Sequence, residues 1–286
     1  MNRLLLCTDL DRTLLPNGSA LESAQARKKF SQLVEHPQVT LVYVTGRHQQ
    51  LVVQAIGEYE LPQADYVIAD VGSTIYEVTD KGWLHQQNWE RLISRDWQDK
   101  SGQVKSHHEL HKLFGNINGL QLQEVSKQNT YKLSYYVALN IDHQQIISTM
   151  RGRLKQQSIA ANLIWSIDQQ AKTGLLDVLP ASAGKRRAIE FLIQQLGFEH
   201  SETVFAGDSG NDICVLSSPI QSVLVANADE RVRDEAIRQA QVNHQGDTLY
   251  LARGNFMGMN GNYSAGILEG VVHYIPQAEN WFEGGA

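Results

Sequence analysis

The chain begins with LLLCT (Leu4–Thr8), a run with no polar alternation. VTLVYVTG (Val39–Gly46), DYVIADVGSTIY (Asp65–Tyr76, with a turn at Gly72), TVFAG and SVLVA repeat the texture further on. A strand apolar on both faces must be covered on both faces, and parallel sheets flanked by helices meet that demand. Helix-period segments alternate with these runs. The spacing predicts helices over 20–36, where Leu21, Ala24, Phe30, Leu33 and Val34 form a stripe, over the stretch HQQLVVQAIGEY, over 183–197, through DERVRDEAIRQA, and over 265–275. The tail after Pro276 reads as loose.

The texture changes near Lys81. Trp83, Trp89 and Trp97 stand among polar residues, an alternating strand is expected over 129–139, a helix over 143–157, and strand, turn and strand over 162–180. The fold class is therefore α/β: a Rossmann-like parallel-sheet core built from residues 1–79 and 181–286, with an α+β cap inserted over residues 80–180. With 286 residues the chain has room for both units.

The formal net charge of −6 disfavours nucleic acid and anionic membranes as partners. No run approaches the roughly 20 apolar residues of a membrane span, and Leu4–Cys7 is too short for a signal peptide. A cytoplasmic protein is expected. Cys7 and Cys214 lack metal-ligand spacing and read as free thiols.

Several strands end in polar clusters: Asp9-Leu10-Asp11-Arg12-Thr13, Thr45-Gly46-Arg47, and Gly207-Asp208-Ser209-Gly210-Asn211-Asp212. Lys185 opens the helix that follows the insertion. Open parallel sheets bind ligands off the carboxyl ends of their strands, so these clusters face one crevice. Asp9, Asp11, Asp208 and Asp212 gathered there need a cation, and hard oxygen donors select Mg²⁺ or Ca²⁺. Thr45, Lys185 and the glycine-flanked backbone can donate to a phosphoryl group. A carboxylate can attack phosphorus. A second one, two residues along, shares its face and can move the proton of the leaving oxygen.

In order and spacing, Asp9-x-Asp11-x-Thr13, Thr45, Lys185 and Gly207-Asp208-x-x-Asn211-Asp212 resemble the four motifs of the haloacid dehalogenase superfamily. An insertion between the second and third motifs resembles the cap of Cof-type phosphatases. LLLCTDLDRTLL, VTGR, VGSTIY, YKLSYYV, LDVLP, GDSGNDI and SAGILEGVVHY together resemble sucrose-phosphate phosphatase and its relatives over nearly the whole chain. The resemblance implies a Mg²⁺-dependent phosphatase for a sugar phosphate, sucrose 6-phosphate or a related glycoside phosphate, working through an aspartyl-phosphate. It assigns Asp9 as nucleophile and Asp11 as general acid and base. It places the metal on Asp9, the backbone carbonyl of Asp11 and Asp208, with Asp212 orienting that shell. Thr45, Lys185, Gly46 and Asn211 hold the phosphoryl group, and Lys132 and Asp177 of the cap contact the sugar. A functional link to a glycosyltransferase is a further expectation of the family. A phosphomutase or phosphotransferase, or a phosphatase for another small phosphorylated metabolite, stays open.

In one place the chain departs from the pattern. Where the family has a short glycine turn with a basic residue before D-x-L-P, this chain has DQQAKTGLL, with Lys172 displaced. His107, His108 and His111 lack the H-E-x-x-H arrangement and read as a polar helix face. The cap tryptophans read as packing, with Trp89 and Trp165 the candidates for stacking on a ring. Arg47 reads as a surface residue at a helix N-terminus, outside catalysis.

Overall fold

A computed structural model describes residues 3–168 and 171–282. In chain order its strands and helices are β1 (Leu4–Thr8), α1 (Ala26–Val34), β2 (Val39–Val44), α2 (Gln49–Glu58), β3 (Tyr66–Ala69), β4 (Thr74–Thr79), β5 (Gly82–His85), α3 (Gln87–Ile93), α4 (His107–Phe114), β6 (Gln121–Leu122), β7 (Leu133–Val137), α5 (His143–Gln157), β8 (Ala161–Asp168), β9 (Thr173–Pro180), α6 (Lys185–Leu196), β10 (Thr203–Gly207), α7 (Ile213–Leu216), β11 (Gln221–Leu224), α8 (Glu230–Val242), β12 (Leu249–Leu251) and α9 (Ser264–Tyr274).

The larger sheet has the order β12-β11-β10-β1-β2-β3-β4-β5. It is parallel from β12 to β3, and β4 and β5 run antiparallel at one edge. Alternate residues of β1 feed opposite layers, which is why the strand is apolar throughout. Leu4 and Leu6 join Phe30 of α1 and Leu268 of α9. Leu5 and Cys7 join Ile189 and Leu192 of α6. The smaller sheet is antiparallel, in the order β6-β7-β9-β8. Leu133, Tyr135, Leu176 and Val178 line its apolar face and pack on Phe114 of α4 and Met150 of α5. Strand alternation turns Lys132, Ser134 and Asp177 to the other face.

The structure departs from the sequence-based expectations in several places. Within 65–76 the turn falls where Gly72 predicted it, but it takes in Asp70 and Val71 as well: β3 stops at Ala69, the turn spans Asp70–Gly72, and β4 returns antiparallel. Residues 82–93, expected in the cap, extend the larger sheet as β5 and bury Trp89 and Ile93 in its core. Helix α1 starts at Ala26, not at residue 20, and Leu21 is exposed. The carbonyls of Ala20 and Leu21 are taken by Tyr263 Oη and by the amides of Asn260 and Asn262, which competes with helical bonding. Beyond Pro276 a short 3₁₀ segment runs to Trp281, and Ala278 and Phe282 are buried. Among the described residues no helix is long and apolar enough to cross a membrane.

Candidate active site

Off the end of β1, Asp9 is buried with its N–H donating to the Ala206 carbonyl of β10 at 2.9 Å. The Lys185 ammonium lies between two carboxylates, 2.8 Å from Asp9 Oδ1 and 2.7 Å from Asp212 Oδ1. Burial alone would lower the ammonium's hold on its proton; the Asp212 and Asp9 charges outweigh this and raise it. The lysine reaches this point because α6 begins beside the Asp70–Gly72 turn. A Cβ on Gly72, whose φ is +92°, would stand 2.3 Å from the Gly184 carbonyl carbon. Only glycine permits that approach.

On β10 and its following loop, Asp212 folds back over Gly207, where a Cβ would lie 2.7 Å from its carboxyl carbon. The Asp212 Oδ2 accepts from the N–H groups of Asp208 at 3.2 Å and Ser209 at 3.1 Å. Asp208 Oδ1 accepts from Thr13 Oγ1 at 3.1 Å. Its Oδ2 is buried without a hydrogen-bond partner among the described residues, 3.4 Å from Arg12 Nε.

Asp9, Asp208 and Asp212 each offer an oxygen within 4.8 Å of the others. Burial, and then the neighbouring carboxylates, push Asp9 well above the usual carboxylate range against the pull of Lys185. Burial and Asp212 push Asp208 up to about 7. The cluster is short of positive charge, and its donors are all hard oxygens, one of them unpartnered. Those features fit a small divalent cation such as Mg²⁺.

Asp11 is placed differently from the other carboxylates. Its side chain is gripped by Arg47, with Nη2 2.6 Å from Oδ1 and Nε 2.8 Å from Oδ2, and Asn17 donates to Oδ1 at 2.7 Å. Burial disfavours its ionisation, but Arg47 and Asn17 outweigh that and hold it below the usual carboxylate range. Arg47 therefore sits inside the site, contrary to its expected surface position. Its place directly after Thr45-Gly46 was the available signal. Thr45 is buried, and its hydroxyl accepts from the Arg47 N–H at 3.2 Å. Gly46 and Asn211 line the same cleft as Asp9, and Asn211 Oδ1 accepts from Ser209 Oγ at 3.0 Å.

The cleft encloses about 1320 Å³ between the two sheets. Lys132 and Asp177 lie on its roof, both buried, with Nζ and Oδ1 3.7 Å apart. Ser134 Oγ donates to Asp177, and Lys132 Nζ donates to the Lys127 carbonyl at 2.9 Å. Asp70 lies in the wall and was not among the expected residues. Asp70 and Val71 have φ of +54° and +61°, and Gly72 continues the left-handed run. A non-glycine residue held there costs on the order of 1–3 kcal/mol, and such strain clusters at functional sites.

Of the other candidates, Trp165 lines the cleft and the rest lie outside it. Trp89 packs on Phe191 at 5.3 Å, and Trp165 stacks on His143 at 4.2 Å on the helix side of the smaller sheet. Trp89 is buried and offers no platform for substrate, and the Trp165 ring is already stacked on His143. His107 bonds Gln128 and His111 bonds Tyr135, and the histidines form no metal-ligand group among the described residues. The DQQAKTGLL turn includes residues 169–170, which lie outside the described residues.

The sucrose-6F-phosphate phosphohydrolase family model matches residues 2–275. A putative haloacid dehalogenase-like hydrolase of Nitrosococcus oceani is 50% identical over 99% of this chain and 75% of its own length. Sucrose-phosphatase 2 of Nicotiana tabacum is 28% identical over 80% of this chain, which spans 52% of that protein. The sucrose-phosphatase of Synechocystis, solved with sucrose and phosphate, superposes with a TM-score of 0.74 at 26% identity, covering 96% of this chain and 99% of that one. The chain belongs to the sucrose-6F-phosphate phosphohydrolase family, a family of phosphoric monoester hydrolases in the haloacid dehalogenase superfamily.

Proposed function

We propose that this protein removes the phosphoryl group from a disaccharide or glycoside phosphate, with Mg²⁺ as cofactor. The observation that carries the reading is one cleft with Asp9 and Asp208 on its floor, backed by the buried Lys185 and Asp212, and the buried Lys132–Asp177 pair as roof. Its volume of about 1320 Å³ is ample for two sugar rings. The smaller sheet and its helices act as a cap that selects substrate, while residues 82–93 go with the catalytic core.

Asp9 attacks phosphorus, and the bond from phosphorus to the sugar oxygen breaks. Asp11 gives that oxygen its proton. Asp11, now a carboxylate, takes a proton from water, the water oxygen attacks the aspartyl-phosphate, and the bond from phosphorus to Asp9 breaks. The fork of Arg47 stabilises ionised Asp11, which favours the second half and opposes the first, where Asp11 must carry a proton. Lys185 balances Asp9 and the phosphoryl oxygens, with Thr45, Gly46 and Asn211 beside it. Asp9, Asp208 and the backbone carbonyl of Asp11 would hold Mg²⁺, oriented by Asp212; when bound, it supplies charge neutralisation at Asp9 and at the transferring group. Positioning and charge do most of the work in such transfers. A glycosyltransferase that joins a sugar to a phosphorylated acceptor would supply the substrate.

The test is phosphate release, with Mg²⁺ and with EDTA, from sucrose 6-phosphate, trehalose 6-phosphate, mannosylfructose phosphate, glucosylglycerol phosphate, glucose 6-phosphate and fructose 6-phosphate. One glycoside phosphate is expected to exceed the monosaccharide phosphates by at least about tenfold in kcat/KM. Flat activity would overturn the substrate, and release that is unaffected by EDTA would overturn the metal.

A further inference from the structure

We infer that Asp70 is a specificity-determining residue that reads the leaving group: its carboxylate accepts hydrogen bonds from hydroxyls of a neutral polyol and repels leaving groups that carry an acid. The inference rests on the sugar-phosphate reading above and adds a core-side contact opposite the cap.

The backbone points to this role. β3 ends one residue earlier, and the chain then holds Asp70, Val71 and Gly72 at positive φ. Gly72 alone would satisfy the close approach to Gly184. The strain at Asp70 and Val71 is not needed for that, and it directs an acid into the wall of the cleft. The turn is held from both sides: Asp70 N–H donates to the Arg47 carbonyl, Val71 N–H to the Thr45 carbonyl, and Ser73 Oγ to the Asp70 carbonyl, each at 3.0 Å. The residue is thus tied to the same loop that carries Thr45 and Arg47.

The surroundings of the carboxylate suit a sugar. Thr74 Oγ1 donates to Oδ2 at 3.1 Å, and Asn129 bridges Thr74 and Ser73 from the cap side at 3.2 Å each. The charge of Lys132 on the roof also acts on Asp70. A carboxylate only accepts, whereas sugar hydroxyls donate, and bonds to a charged acceptor are the stronger kind. A second anion on the substrate would meet a fixed, buried negative charge.

The experiment compares kcat and KM of wild type, Asp70→Asn and Asp70→Gly on the best glycoside phosphate from the panel, on 2-phosphoglycolate and on p-nitrophenyl phosphate. Both variants tolerate positive φ, so folding is not at stake. The expected result is a rise of about tenfold in KM for the glycoside phosphate, with a smaller change in its kcat, because a charge-assisted bond is replaced by a neutral one or by none. The preference for the glycoside over 2-phosphoglycolate should shrink by a similar factor. If the three substrates lose activity in the same proportion, or if Asp70→Asn matches wild type on all of them, Asp70 is structural and the inference is overturned. If wild type itself turns over p-nitrophenyl phosphate but no glycoside phosphate, the sugar-phosphate reading fails first and takes this inference with it.

Discussion

Arg47 holds Asp11 through two parallel contacts, Nη2 to Oδ1 at 2.6 Å and Nε to Oδ2 at 2.8 Å. A planar guanidinium can make that fork and an ammonium cannot. Arg47→Lys keeps the charge but loses the geometry. We predict that Arg47→Lys and Arg47→Ala both lower kcat by roughly 10²-fold, the scale of a misplaced catalytic group, with little change in KM. Steady-state kinetics on the preferred substrate checks this. Full activity in Arg47→Lys would mean that the fork does not position Asp11.

Lys185 is the only ammonium in contact with the Asp9–Asp212 pair among the described residues, and it is fully buried. Lys185→Met leaves two buried carboxylates without their cation. Breaking a buried pair in this way costs about 3–5 kcal/mol. Denaturant melts in EDTA should show that loss, and turnover should fall below detection. Melts that coincide with wild type would show that the pair carries no net stabilisation.

Gly72→Ala tests the approach that places Lys185. The new Cβ would stand 2.3 Å from the Gly184 carbonyl carbon, and a φ of +92° is strained for alanine. Overpacking of this kind costs about 1–3 kcal/mol. The expected result is a lower melting midpoint together with a fall in kcat, since Lys185 is displaced with Gly184. A destabilised enzyme of normal kcat would separate the two effects and refute the positioning role of Gly72.

Asp70 gives a pH dependence with a defined sign. Burial raises its carboxyl above the usual range. The folded protein therefore binds this proton more tightly than the unfolded chain. The associated stability is complete below the ordinary carboxylate value of about 4 and is lost as pH rises through the folded-state value. Asp70→Asn cannot ionise. Its melting midpoint relative to wild type should rise as pH increases from about 4 and then level off, measured by thermal melts from about pH 4 to about pH 8. A difference that falls with pH would contradict the burial assigned to Asp70.

The core of the site is legible in the sequence because its residues sit at strand ends. Once LLLCT and TVFAG are read as buried parallel strands, Asp9, Asp208 and Asp212 have one crevice to face, and the structure brings them within 4.8 Å. Arg47 was misread because a cation after a strand and before a helix looks like an ordinary helix start; its partner Asp11 is 36 positions away. Gly72 marks the turn in the sequence, but the strained backbone at Asp70 and Val71 was hidden because αL conformation at Asp and Val leaves no compositional mark. The start of α1 was misplaced because the groups that capture the Ala20 and Leu21 carbonyls come from residues 260–263. Local periodicity carries no information about such distant donors.

The central claim is that Asp9 becomes covalently phosphorylated. The direct measurement is trapping with hydroxylamine during turnover with Mg²⁺ and substrate, followed by mass spectrometry of the peptide that contains Asp9. The account predicts a hydroxamate at Asp9 in wild type, and neither hydroxamate nor phosphate release in Asp9→Asn. Unchanged phosphate release by Asp9→Asn, with no adduct at Asp9 in the wild-type protein, would contradict it.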